Sequence, residues 1–160
     1  MFFSASYRNE TGPLLEWSFL RLLDVNLANG KSAQDIASYL ETLELRKTSP
    51  VLTEKLANLY SALGKPSSAI FMYQQALKLS ANSMQRLGIR LTLGDKLIAA
   101  ARLEEAFQNY RDLLREYPEY ADKLTVLRHL QELAQALGKT AEAAQYQEEI
   151  NRQLIRSGHN

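Results

Sequence analysis

Gly30-Lys31-Ser32 and Gly138-Lys139-Thr140 are the stretches of this 160-residue chain that come nearest to phosphate chemistry. A phosphate-binding loop ends in glycine, lysine and a hydroxyl residue, with another glycine five places earlier so that backbone N–H groups can wrap the phosphate oxygens. Val25 and Leu133 occupy those earlier places. Each motif also lies between two helix-like patterns, whereas a phosphate loop joins a strand to a helix. Nucleotide binding fails on both counts. There is no cysteine, and two histidines, His129 and His159, are too few for a histidine-rich metal site. The carboxylates recur at a repeat spacing, and nothing arranges a nucleophile with a base and an acid. The expectation is a protein that is not an enzyme and holds no cofactor or metal.

What remains is the recurrence. Gly64-Lys65 lies 34 residues after Gly30-Lys31, and in that register Ile70 falls on Ile36, Tyr73 on Tyr39 and Leu77 on Leu43. A further 37 residues bring Ala101-Arg102, Phe107, Tyr110 and Leu114, and another 37 bring Gly138-Lys139, Ala144, Gln147 and Asn151. Upstream of the turns, Leu22, Leu56, Leu93 and Leu130 align, as do Ala28, Ala62, Ala99 and Ala136. Within each copy the apolar residues fall at helical spacing on both sides of the turn, as in Leu56, Leu59, Tyr60 and Leu63, then Ala69, Ile70, Tyr73, Ala76 and Leu77. Each copy is therefore a helical hairpin whose apolar stripe must be buried against its neighbour, the logic of a solenoid. The turn glycine ends one helix in the left-handed conformation, and Ser32, Ser67 or Thr140 caps the next. The turn lysines and arginine complement the helix dipole.

The pattern predicts eight helices, at 14–29, 32–46, 50–63, 67–80, 83–100, 103–116, 120–137 and 140–156. They pair into hairpins at about 14–46, 50–80, 83–116 and 120–156. Residues 1–13 are expected to form an irregular arm ending at Gly12-Pro13, and 14–160 a single all-α domain, a right-handed α-solenoid. The three extra residues near Asn82–Arg86, and again near Tyr120–Lys123, fit almost one more turn at the start of a first helix.

These residues resemble the tetratricopeptide repeat (TPR) family. Its pattern of small residue, large residue, glycine, alanine, aromatic and alanine is met by Ala57, Tyr60, Gly64, Ala69, Tyr73 and Ala76. The next copy has Gly94, Leu97, Ala106, Tyr110 and a closing Pro118, with Ala101 at the turn and Leu113 for the last alanine. The final copy keeps Gly138 and Ala143 but has Gln147 in place of the aromatic. The first keeps Gly30 and Tyr39 but has Leu23, Asn26 and Asp35 at signature places. The resemblance spans about residues 16–157 and implies that the Tyr39, Tyr73 and Tyr110 ladder is core packing. Where no hairpin follows, Gln147 fits a self-capping last helix. The other account is a further capping helix, without which Tyr146, Ile150 and Leu154 are partly exposed or buried in a dimer.

The resemblance further implies a concave surface lined by the first helices, at Trp17, Leu20, Asp24 and Leu27, then Val51, Glu54, Asn58 and Ser61. The later hairpins supply Gly88, Leu91, Asp95 and Ile98, then Thr125, Arg128, Glu132 and Gln135. Asp24, Asn58, Asp95 and Glu132 form one row, with Glu54 beside it. An acidic stripe flanked by apolar patches suits a basic or amphipathic peptide or partner helix. A solvated acidic face that keeps a repeat protein soluble is the plainer reading. Trp17 either fills the groove face or covers the N-terminal end. His129 reads as a surface or packed residue. The family's clamp for terminal carboxylates is not reproduced: Asn58 is kept, but Glu54, Thr92, Thr125 and His129 replace basic or amide residues, and Arg128 is shifted by one place, about 100° around a helix.

A formal charge of +1 gives no broad field for nucleic acid or anionic lipid, and an acidic groove disfavours RNA. No run reaches the roughly eighteen apolar residues of a membrane span. The expected partner is a protein or peptide, with no nucleic acid and no direct membrane insertion. Association with a second copy through the solenoid ends, as a homodimer, is the alternative. The default compartment is the cytoplasm, and an upstream signal or anchor is compatible with the sequence. Asn9-Glu10-Thr11 matches a glycosylation sequon, which chance supplies often.

Overall fold

A backbone signature repeats at every predicted turn. In the computed structural model, which describes residues 5–80 and 82–158 and side chains from Leu15 onward, Gly30, Gly64 and Gly138 have φ of +94°, +70° and +74°. Ala101 takes the same left-handed conformation at φ +58°. At each turn the residue after it donates its N–H back across the helix end: Lys31 to Asn26 O, Lys65 to Tyr60 O and Arg102 to Leu97 O at 2.9 Å, and Lys139 to Ala134 O at 2.8 Å. A second bond, from the turn residue itself, closes each motif, so carbonyls that a helix end leaves unpaired are satisfied.

The turns join α1 (Ala5–Ala28) to α2 (Ala33–Thr42), α3 (Pro50–Ala62) to α4 (Pro66–Leu79), α5 (Ser83–Ala99) to α6 (Leu103–Glu116), and α7 (Lys123–Ala136) to α8 (Thr140–Gly158). The fold is all-α, built of consecutive antiparallel helical hairpins, with no strand among the described residues. Its residues divide into two compact units, Met1–Ala81 and Asn82–Asn160.

In the first unit the core is Leu52, Leu56 and Ala57 of α3 against Ala69, Ile70, Tyr73 and Ala76 of α4, with Ile36, Ala37 and Leu40 of α2 packed on α3. Ser32 and Ser49 cap α2 and α3, accepting from Asp35 N and Leu52 N at 3.1 Å. Ser67, expected as a cap, instead lies inside α4, whose first turn is set by Pro66; proline needs no N–H partner there and brings a helical φ. Three boundaries also differ from expectation. The backbone is helical from Ala5 through Gly12-Pro13, where an irregular arm was predicted; a proline removes one hydrogen bond and kinks a helix without forbidding its continuation. The helix predicted over 32–46 stops at Thr42 and gives way to a 3-10 helix at Glu44–Thr48, where the Arg46 side chain donates to Leu40 O at 3.1 Å and so occupies the helix end. The third concerns 120–122, which form a turn before α7 rather than its first residues, with Lys123 N donating to Tyr120 O at 3.1 Å.

In the second unit Ile89, Leu93 and Leu97 of α5 pack against Ala106, Phe107, Tyr110 and Leu113 of α6, and Val126, Leu127, Leu130 and Leu133 of α7 continue that core. Gly94 is required by contact rather than by conformation: a Cβ there would come within 2.6 Å of the Tyr110 hydroxyl oxygen. Tyr110 in turn stacks on His129 of α7, centroids 5.0 Å apart and planes at 12°. Phe107 meets Tyr146 of α8 edge-on at 6.1 Å, and Ile150 is buried. Leu154 and Ile155 are exposed.

An ionic lock joins α5 to the end of α6. Glu116 accepts from Arg86 Nη2 at 2.8 Å and Arg90 Nη2 at 2.7 Å, and buried Asn109 donates to Arg90 O at 2.8 Å. Hydrogen bonds from Arg86 above all, opposed by burial and reinforced by Arg90, hold the Glu116 carboxyl at about 2.

His159 lies outside the described residues, as do the side chains of the Asn9-Glu10-Thr11 sequon.

Candidate functional site

The row read from the sequence is solvent-facing at each position: Asp24, Asn58, Asp95 and Glu132 are exposed on α1, α3, α5 and α7. Their surroundings differ. Asp24 lies 3.4 Å from Lys55 Nζ. Asn58 accepts a hydrogen bond from the Tyr73 hydroxyl, and Asp95 accepts one from Tyr110 at 3.1 Å. Both bonds span the same 15 residues, so this position of the first helix also anchors the core tyrosine of its own hairpin. Burial first, and then the negative charge of Asp95, push the Tyr110 hydroxyl far above its ordinary value. Glu54 is half-buried and raises Tyr73 in the same direction, after burial.

The other predicted groove residues divide by exposure. Trp17 is 57% exposed, with the Arg21 guanidinium 5.5 Å from its ring centroid. Leu20 and Leu27 of α1, and Leu91 and Ile98 of α5, are half-buried, while Arg128 is exposed on α7. Leu91 and Asp95 share one cavity of about 120 Å³ with Tyr110, Tyr120, Asp122, Thr125, Val126 and His129. Tyr120 and Asp122 come from the α6–α7 turn. Register along the first helices does not reach them; the signal that points there is the three-residue expansion of the period near Tyr120–Lys123. Asp122 precedes α7, yet its carboxylate takes the Thr125 hydroxyl at 2.8 Å and caps no backbone N–H.

The tyrosine ladder requires a correction. Tyr73 and Tyr110 are 2% and 1% exposed, but Tyr39 is 43% exposed. The cause is Leu23, buried at 1%, which stands where Ala57 and Gly94 stand in the later hairpins. A leucine side chain fills the place against which the tyrosine ring would lie. Tyr39 instead lines an open cavity of about 340 Å³ with Leu22, Asn26, Lys31, Asp35 and Ile36.

Lys65, Arg102 and Lys139 at the turns have local partners. Lys65 reaches Gln34 at 3.2 Å and lies over the Tyr60 ring; Lys139 lies 3.5 Å from Glu104 and over the Phe107 ring; Arg102 grips Glu105 through two bonds of 2.8 Å. They are used within and between hairpins of one unit. No helix among the described residues is long and apolar enough to cross a membrane.

No family model matches the chain, and no curated protein matches it in sequence. Solved structures do match. A crystal structure of MamA superposes with a TM-score of 0.65 and 16% identity, covering 94% of this chain and 79% of that one. The chain is similar in fold to MamA. A second MamA crystal structure gives a TM-score of 0.58 and 12% identity over 100% of both chains. MamA is TPR-like, and at these identities the likeness extends to the fold alone.

Proposed function

We propose that this chain is a TPR protein with no catalytic role, a scaffold that receives a basic or amphipathic segment of another protein along the exposed side chains of its first helices. The four hairpins serve as one binding domain in this reading, and neither nucleic acid nor a metal takes part. The supporting observation is the exposure of Asp24, Asn58, Asp95 and Glu132 at equivalent places on helices whose opposite faces are core. Carboxylates at three of these four equivalent places steer and orient an oppositely charged segment. Fold likeness to MamA agrees with a scaffold but names no partner.

The test is affinity capture from a source lysate, comparing the wild type with the Asp95→Asn, Glu132→Gln double variant and mapping cross-links by mass spectrometry. These neutral replacements are preferable to lysine. Asp95→Lys would leave the Tyr110 hydroxyl without its acceptor, at a cost of about 1–3 kcal/mol. An unchanged melting curve with at least about tenfold weaker capture is expected. Equal capture by both chains would sink the acidic-row reading.

A second reading, homodimerisation through the hairpin ends, draws on exposed Leu154 and Ile155 of α8 and exposed Leu22 and Val25 of α1. Sedimentation of the wild type beside Leu154→Glu, Ile155→Lys decides it: a concentration-dependent dimer lost in the variant supports it, and a monomer at all concentrations ends it.

A further inference from the structure

The cavity between α5, α6 and α7 differs from the rest of the acidic row in having walls. Asp95 and Asp122 are exposed at it, Tyr120 and His129 are half-buried, and Leu91 and Val126 supply its apolar part. None of its lining residues is lysine or arginine. At about 120 Å³ it accommodates one side-chain head group rather than a run of peptide.

The charge on Asp95 is more than the core requires. Asn58 holds Tyr73 at the equivalent place of the preceding hairpin, so a neutral amide oxygen suffices to accept the tyrosine hydroxyl. A carboxylate beside Tyr110 adds a negative charge, and it does so at the hairpin whose neighbouring turn supplies a second carboxylate and an aromatic ring. Asp122 likewise spends its charge on no backbone group of α7. Two carboxylates facing aromatic and aliphatic walls complement a flat, weakly hydrated cation, which pairs with carboxylate oxygens through a fork of N–H donors and stacks on rings.

We propose that this cavity receives a single arginine side chain of the bound protein segment, its guanidinium between Asp95 and Asp122 against Tyr120 and its stem along Leu91 and Val126. This rests on the scaffold reading and assigns one residue of the ligand. Lysine fits less well, because its compact ammonium is strongly hydrated and offers no planar face to the rings.

The test is an amide-shift titration of the full chain with three blocked tripeptides, acetyl-Ala-Xaa-Ala-amide, in which Xaa is arginine, lysine or citrulline. Citrulline keeps the shape and removes the charge. The arginine peptide should move the Asp95, Asp122 and His129 amides and bind at least about fivefold more tightly than either of the others. Asp95→Asn and Asp122→Asn should each weaken it by about threefold or more, with the Tyr110 resonances otherwise in place. Equal binding of arginine and citrulline peptides, shifts that map elsewhere, indifference to both substitutions, or no shift up to about 20 mM peptide would each overturn the arginine pocket. Lysine binding as well as arginine would overturn the choice of guanidinium. Failure here leaves the scaffold reading standing if the lysate partner is still captured and cross-links to the first helices; loss of that capture target altogether is what removes the scaffold.

Discussion

The hairpin α1–α2 and the hairpin α5–α6 occupy the same register and reach opposite outcomes. In α5–α6 a glycine lets the Tyr110 ring lie flat into the interface, Asp95 takes its hydroxyl, and His129 covers its face. In α1–α2 Leu23 fills that space, Asp35 stands where Ala106 is wholly buried, and Tyr39 lines an open cavity. Three side chains thus convert a packed interface into an open one with the turn geometry unchanged, since Gly30 and Ala101 close their turns with the same pair of backbone bonds. The turn fixes that there is a hairpin. Whether its helices close on each other is decided by the side chains that the two helices bring to these places.

The largest contrast is expected from truncating the two tyrosines. Tyr110→Ala removes a ring that is 1% exposed together with its bond to Asp95, and should destabilise the second unit by about 3–5 kcal/mol. Tyr39→Ala, at a residue 43% exposed, should cost less than about 1 kcal/mol. Amide hydrogen exchange, followed separately in α3–α4 and α6–α7, reads both effects in the unit concerned. Equal losses would mean that Tyr39 is packed like its counterparts and that the open hairpin is wrong.

A smaller contrast follows from the ionic lock. Hydrogen bonds from Arg86 and then Arg90 hold the Glu116 carboxyl at about 2, against an ordinary value of 4.5. Between those two values the unfolded chain binds more protons at this group than the folded one, so stability falls as pH is lowered through the window. Above it, the full shift would correspond to about 3 kcal/mol, and solvent screening of this partly exposed pair reduces the contribution of the lock to about 2 kcal/mol. Glu116→Gln should therefore lower the urea midpoint of α5–α6 protection at pH 7 and flatten its dependence on pH between about 5 and 2. No matching acid-sensitive lock joins α1 to α2 among the described residues, so protection there should not follow the same curve. A variant that keeps the wild-type acid slope would assign that slope to other carboxylates.

Much of this architecture was legible because the repeat signal is written in residues with one physical role. Gly64 can only be a turn, and Ala69 and Ala76 can only face a neighbour. The open first hairpin was half legible: Leu23, Asn26 and Asp35 stand out as departures, but that one of them displaces Tyr39 is a statement about volume that appears only when the ring has a place to go. The cavity was less legible still. Leu91 and Asp95 lie on the register line, whereas Tyr120 and Asp122 enter through a turn whose path is not periodic. The three extra residues there suggest added helix, and they instead form a turn from which Tyr120 and Asp122 line the cavity. The helical course of residues 5–13 was hidden by Gly12-Pro13, a local breaking signal that the longer helix overrides.

The smallest effect tests the shared part of the comparison, the turn. Ala101 is the one alanine among the four left-handed turn positions, at φ +58° where the other three are glycine. An L side chain in that conformation costs about 1 kcal/mol through the contact of its Cβ with the following carbonyl. Glycine relieves this but gives back part of the gain, because it leaves the unfolded chain more freedom. Ala101→Gly should therefore raise the stability of the second unit by about 0.5 kcal/mol, a shift of one to a few degrees in melting temperature, roughly as a unit of this size converts it. The reverse exchange, Gly64→Ala, should lower the first unit by about 0.5 kcal/mol, the same two terms with their signs exchanged. Opposite signs of similar size would mean that the four turns are energetically interchangeable and that the difference between the hairpins resides wholly in Leu23, Asn26 and Asp35. A loss of stability on Ala101→Gly would instead show that the Ala101 methyl group has packing of its own, and that the turns too have diverged.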